Sequence, residues 1–348
     1  MVTAGAAVVT GMGYAAPASV TQEALWDGFF AGHYSNHPVA RRIFAAAGVR
    51  TRHAVANPLD EDLSTWSTGA RMARYVAESM PLAKQAVTHA LDEAGLAAGD
   101  VGLFAVASCT GYSTPGVDIR LARDLGMSAD LQRLFVGHMG CYAAVPALGA
   151  VSDFVVARGC PAVLLCLELT SLHVQPPTHD IDQMVSHSLF SDAAAAVVVE
   201  PGAVDGFEVV DVVARTDVAT ADHMTWEVTD LGFRMRLSPR VPDVLATHVH
   251  SVVTGMLDRQ ALSIEDIAAW AVHPGGPRIL DVVADRLTLA PESLAASRRV
   301  LAEHGNCSSA TVLLVLSEVT SDVPSGGYVV MTAFGPGLTL YAALLRRR

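Results

Sequence analysis

Three short stretches put reactive side chains at the mouths of apolar segments: Cys141 in MGCYAA, His273 in WAVHPGG and Asn306 in HGNCSSA. Cys141 follows the apolar run Leu134-Phe135-Val136 and the turn Gly137-His138-Met139-Gly140. It precedes Ala143, Ala144, Ala147, Leu148, Ala150, Val151, Phe154 and Val155, which recur at helical spacing. The pattern predicts a buried strand, a tight turn, and a cysteine on the first turn of a buried helix. There the unpaired N–H groups and the positive helix end favour a thiolate, the form that attacks thioesters. A buried structural thiol accounts for the same stretch when it is read alone. His273 at a strand end also serves as a structural histidine, and Asn306 as the cap of the helix that follows it.

What positions these residues is read from the order of elements. Strands are expected at Ala6–Gly11, Asp100–Ser108, Pro161–Leu169 and Ala193–Glu200, with helices over Ala70–Gly95 and after Pro115. The region up to Arg52 reads as loop and short helix. A Pro201–Gly206 break then divides the chain into residues 1–203 and 204–348. Beyond it the order repeats: strand Phe207–Arg215, helix Pro242–Gln260, strand Ile267–Val272, helix Arg278–Leu287, helix Ala310–Ser317, and strands Gly327–Ala333 and Leu338–Leu345. LFAVAS matches AAWAV, and Gly-Cys at one helix mouth matches Gly-Asn-Cys at another. The fold class expected is α/β with two duplicated halves, whose shared surface would bring Cys141, His273 and Asn306 together.

Composition narrows the chemistry. Of 348 residues, 51% are hydrophobic and 17% charged, which describes a compact globular chain. A net charge of −12 argues against general nucleic-acid binding. The one lysine, Lys84, lies in a polar-faced helical pattern, which argues against Schiff-base chemistry. Five cysteines without a CxxC pair or histidines at zinc spacing argue against a metal site and a disulfide framework, and favour a reduced, cytoplasmic protein. The apolar N-terminus lacks a basic n-region and reads as a strand, and no uninterrupted apolar run has membrane-spanning length.

With these motifs in hand, the sequence resembles the type III polyketide synthases, the chalcone-synthase-like branch of the thiolase superfamily. The resemblance rests on GCYAA at Gly140–Ala144, LELTSLHV at Leu167–Val174, SLFSDAAAA at Ser188–Ala196, HPGGPRIL at His273–Leu280, HGNCSSATV at His304–Val312 and FGPGL at Phe334–Leu338. It extends over nearly the whole chain. The HPGGP run is the most discriminating, because β-ketoacyl carrier-protein synthases III usually carry Gln-Ala-Asn after that histidine.

The resemblance implies a five-layered αβαβα thiolase-like fold working as a homodimer. It also implies an acyltransferase that condenses malonyl-CoA decarboxylatively onto an acyl-CoA starter, with no metal or redox cofactor. Cys141 would carry the acyl chain, its thiolate supported by an imidazolium at His273. His273 and Asn306 would donate to the enolate oxygen. Phe190 and Phe233 fall on the family's aromatic gate. Cys109, Thr110, His173, Ser186, His187, Met224 and Ser308 fall on cavity positions, with Gly335 and Pro336 in FGPGL beside them. His173 and Met224 depart from the plant pattern of threonine and glycine, and Cys109 resembles bacterial members. This favours an alkylpyrone or alkylresorcinol type product. Arg42, in a cluster with Arg41, Arg50 and Arg52, is the candidate for CoA phosphate, with Gly275 and Gly276 also expected at CoA.

Three other readings compete. The first is a β-ketoacyl carrier-protein synthase III-like enzyme, to which an acyl carrier protein would bring the starter. The second is a papain-like hydrolase using Cys, His and Asn, although a CGSCW-type signature is missing. The third is a silent thiolase-fold partner, which an intact triad disfavours.

Overall fold

The computed structural model describes residues 5–348. Eleven strands form the frame: β1 Ala7–Ala15, β2 Leu103–Ser108, β3 Gln132–Gly137, β4 Ala162–Glu168, β5 Ala193–Pro201, β6 Phe207–Thr216, β7 Met224–Thr229, β8 Gly232–Leu237, β9 Ile267–Val272, β10 Tyr328–Gly335 and β11 Thr339–Arg347. Nine of them join in the order β9-β10-β11-β6-β1-β5-β4-β2-β3, while β7 and β8 pair as a separate hairpin.

The duplication read in the sequence appears in the pairing. In the first half β2 runs parallel to β4, which is antiparallel to β5, which is antiparallel to β1. In the second half β9 is parallel to β10, β10 antiparallel to β11, and β11 antiparallel to β6. The halves meet where Val8 and Val9 of β1 face Glu208 and Phe207 of β6.

The main helices are α1 Pro38–Ala46, α2 Thr68–Ala94, α3 Val117–Asp124, α4 Ala144–Arg158, α5 Ile181–Leu189, α6 Val241–Asp258, α7 Pro277–Arg286, α8 Ala295–His304 and α9 Thr311–Thr320. Strands buried on both faces need helices on both faces, and three apolar clusters mark the layers. Ala86, Val87 and Ala90 of α2 pack with Phe104 and Val106 of β2 on one outer face. Val145, Leu148 and Val151 of α4 and Val312 and Val315 of α9 fill the middle. Leu245, Val249 and Val253 of α6 with Val283 of α7 cover the second half's strands on the opposite outer face. The result is a thiolase-like five-layered α/β fold. Gly140–Arg158 is long and apolar enough to cross a membrane by composition, yet here it packs against strands of both halves as the middle layer.

Two sequence expectations change. The run Leu134-Phe135-Val136 does form a strand, but β3 is an edge strand with Leu134 37% and Phe135 44% exposed, since β2 covers one side of it only. The β7–β8 hairpin, α5 and α8 were not anticipated, because their apolar positions alternate over stretches too short for a clear period.

Candidate active site

Cys141 sits in a single 3₁₀ turn, Gly140–Tyr142, that leads into α4. The turn is made by two residues in left-handed backbone, His138 (φ 58°) and Gly140 (φ 78°). A side chain at Gly140 would meet Pro336 Cδ at 2.6 Å, so the FGPGL turn closes directly over Cys141. Asn306 arrives at the end of α8 on the other half. Its Oδ1 accepts from the Ser308 N–H at 2.9 Å, which turns the amide NH₂ away from the backbone. The Asn306 amide and the Ser308 hydroxyl, which lies 3.4 Å from the Cys109 sulfur, favour the ionised form of Cys141.

Burial acts against them. It pushes the Cys141 thiol up to about 12 and the His273 imidazole down to about 3. His273 extends from the end of β9, with its ring edge on Phe334 at 5.7 Å between centroids. Neither ring nitrogen has a hydrogen-bond partner among the described residues. The thiolate–imidazolium pair expected from sequence is opposed by this burial, which disfavours the charged form of each group. Two unpartnered nitrogens on a wholly buried ring are costly unless a ligand engages them.

The cavity at Cys141 has a volume of ≈ 310 Å³. Five expected residues line it, namely Cys109, Thr110, Phe190, Ser308 and Pro336, together with Thr170, Trp226 and Met235, which were not anticipated. Thr170, Phe190, Trp226 and Met235 also line a second cavity of ≈ 540 Å³, along with His173, Ser186, His187 and Phe233. The two chambers thus share a wall. Gly335 lies behind Pro336, where a side chain would come 3.3 Å from the Cys141 nitrogen.

Met224 is misplaced by the sequence reading. It is buried with Val241 and Leu245 of α6 in the outer core and lines neither cavity. Trp226 and Met235, opposite each other in the hairpin register, take the cavity face instead. His187 is locked in one tautomer: the Gln175 N–H donates to Nε2 at 3.1 Å, leaving Nδ1–H for the Tyr34 oxygen at 2.6 Å.

Glu168 is the polar residue that sequence reasoning passed over. It is fully buried and accepts from the Cys109 N–H (3.0 Å), the Thr110 hydroxyl (2.8 Å) and the Ser309 hydroxyl (2.5 Å). The Cys109 thiol lies 3.5 Å away. Burial raises its pKa, and these donors oppose the rise. A lone carboxylate inside the apolar run LLCLEL was the available signal. Cys109 faces this carboxylate, and burial followed by the Glu168 charge holds its thiol well above the usual range.

The arginine cluster divides. Arg42 is exposed on α1, without an ion pair among the described residues. Arg50 pairs with Glu303 at 3.1 Å. Arg52 is buried, donating to the carbonyls of His187 and Phe190, and so is not available to a phosphate at the surface. The His273–Pro277 turn with Gly275 and Gly276 lies near the end of α1: a side chain at Gly48 would strike Pro277 at 2.8 Å.

Residues 1–203 match the N-terminal domain of the chalcone and stilbene synthases, and residues 210–347 match the C-terminal domain. A 1,3,6,8-tetrahydroxynaphthalene synthase of Streptomyces peucetius subsp. caesius is 36% identical over 320 residues, covering 90% of this chain and 84% of that protein. The alpha-pyrone synthesis polyketide synthase-like Pks18 of Mycobacterium tuberculosis is 33% identical over 318 residues, covering 87% and 81%. Among solved structures, PKS-I from the brown alga Ectocarpus siliculosus superposes with a TM-score of 0.91 at 28% identity, covering 99% of this chain and 98% of that one.

Proposed function

The chain belongs to the chalcone and stilbene synthase family and is a type III polyketide synthase; from that premise we propose that it condenses malonyl-CoA units onto an acyl-CoA starter held on Cys141. Loading requires the Cys141 thiol to lose its proton, and His273 is the base within the same buried end of the fold. The thiolate attacks the starter carbonyl and CoA thiolate leaves. In bound malonyl-CoA the bond to the carboxylate breaks, CO₂ departs, and the electron pair passes into an enolate. The enolate oxygen is received by a ring N–H of His273 and the NH₂ of Asn306, an arrangement worth several kcal/mol, roughly 3–4 per donor. The enolate carbon then attacks the Cys141 thioester, the sulfur leaves, and a β-ketoacyl-CoA extended by two carbons remains.

The observation that supports this most is that both His273 nitrogens are unpartnered among the described residues, on a ring that meets Phe334, while Pro336 two residues further on closes over Gly140 and Cys141. A hydrolase using the same residue types is set aside by the family. Arg42 and the Gly275-Gly276 turn are proposed to hold CoA, and the starter arrives as a CoA thioester or from an acyl carrier protein. The product proposed is a pyrone or a polyhydroxylated aromatic, in keeping with the activities named for the two relatives. A second copy of the chain is proposed to cover the β3 edge, where Leu134 and Phe135 stand exposed. The deciding experiment gives the enzyme malonyl-CoA with a panel of acyl-CoA starters and reads both product masses and the acyl adduct on the intact protein. If no starter gave both an adduct and a condensed product, the proposal would fail.

A further inference from the structure

Arg71 stands three residues into α2, wholly buried at the positive end of the helix, where a cation is disfavoured. Among the described residues it has no carboxylate within ion-pair distance, and all its contacts are backbone carbonyls. Nε donates to Trp66 (2.9 Å) and Nη2 to Leu63 (2.6 Å) and Ser64 (3.2 Å), while Nη1 donates to Leu172 and to Val174 (3.1 Å). A buried charge spent on five carbonyls is expensive, and two of those carbonyls flank His173.

His173 is itself doubly held. The Phe233 N–H donates to its Nδ1 at 3.0 Å, so Nε2 carries the proton and donates to the Thr110 carbonyl at 2.7 Å. Its ring stacks on Phe233 at 4.5 Å and meets the Trp226 ring edge-on at 5.4 Å. Trp226 donates its indole N–H to the Cys109 carbonyl at 2.7 Å. The hairpin turn rests directly on this stack, since a side chain at Gly232 would come 2.7 Å from Arg71 Cδ and 3.0 Å from His173 Nδ1.

Resting on the condensation reading above, we propose that Arg71 is a positioning residue of the acyl cavity. It fixes His173 through the Leu172 and Val174 carbonyls, and His173 fixes the Phe233–Trp226 wall that selects which acyl chains fit. Arg71 touches neither chamber, so its effect on selection passes through His173.

The test measures the ratio of kcat/KM for acetyl-CoA against octanoyl-CoA, together with the ratio of short to long products. His173→Ala and Arg71→Lys should each shift the starter ratio about tenfold, the scale set by small changes in an apolar pocket. His173→Gln, whose amide can make both bonds, should return the ratio toward wild type. The double variant Arg71→Lys/His173→Ala should match His173→Ala alone, as expected for residues acting in series. Should Arg71→Lys fail to fold, the Ala and Gln variants of His173 decide the outcome. Unchanged ratios with only a lowered Tm, or additive effects in the double variant, would overturn the proposal. A wild type that condenses no starter would overturn the condensation reading and this one with it.

Discussion

Phe190 and Asn306 are joined through their backbones. The Asn306 N–H donates to the Leu189 carbonyl at 2.8 Å and the Ser191 N–H donates to the Asn306 carbonyl at 3.0 Å, forming a parallel bridge across Phe190. The aromatic residue in the wall between the two chambers and the amide proposed to receive the enolate therefore share one rigid support. Replacing the Asn306 side chain leaves that bridge in place, so its chemistry can be tested without moving the gate.

Asn306→Ala should leave Cys141 able to take an acyl group, while decarboxylation of malonyl-CoA falls by about 10²–10³, the usual cost of one lost oxyanion donor. Cys141→Ala should lose the adduct and all condensed product yet still release some CO₂. Normal CO₂ release from the Asn306 variant would reduce that residue to a structural cap.

Ser308→Ala removes a hydroxyl that favours the ionised form of Cys141. A lost donor to a thiolate raises the thiol pKa, so less thiolate is present at any given pH. The midpoint of iodoacetamide alkylation against pH, read by intact mass, should move upward. A midpoint that stayed put or fell would show that Ser308 does not act on the sulfur.

Met224→Ala should lower stability by roughly 2–5 kcal/mol, as for other buried large-to-small changes, and leave product masses as they are. Met235→Ala, on the cavity face of the same hairpin, should change them. The opposite pattern in denaturant midpoints and product spectra would restore Met224 to the pocket wall.

Arg42→Ala should raise KM for malonyl-CoA with kcat nearly constant, because a contact remote from the reacting carbon binds ground and transition states alike. A fall in kcat at constant KM would remove Arg42 from the CoA site.

Phe135→Glu should turn a dimer into a monomer in analytical ultracentrifugation, since it sets a charge into an apolar strand edge. A wild type that sediments as a monomer, or a variant that stays dimeric, would place the contact elsewhere.

The duplicated frame and the local settings of the three candidate residues were legible because each depends on local pattern: a glycine turn before Cys141, a strand ending at His273, a helix opening after Asn306. Strand β3 was legible as a strand but not as an edge, since LFV reads the same whether one neighbour or two flank it. The cavity walls were harder. Met224 and Trp226 lie on one side of β7, and which of them meets α6 and which meets Cys109 is set by where the hairpin docks. That docking depends on Thr68, Arg71 and His173, far away in the chain. The burial that opposes ionisation of Cys141 was not legible, because helix-end effects are visible in sequence whereas desolvation is a property of the folded interior.

Cys141 belongs to the first half and His273 to the second, with Val8 and Val9 against Glu208 and Phe207 as the strand-to-strand join, while Asn306 of the second half is tied across to Leu189 and Ser191 of the first. Turnover is consequently a sensitive gauge of the seam between the halves. A slip of about 1 Å there, too small to alter helix or strand content, would separate the Cys141 sulfur from His273 and, on the proposed mechanism, cost on the order of 10² in rate. Under mild heat or low denaturant the enzyme should fall silent while its circular dichroism still looks intact.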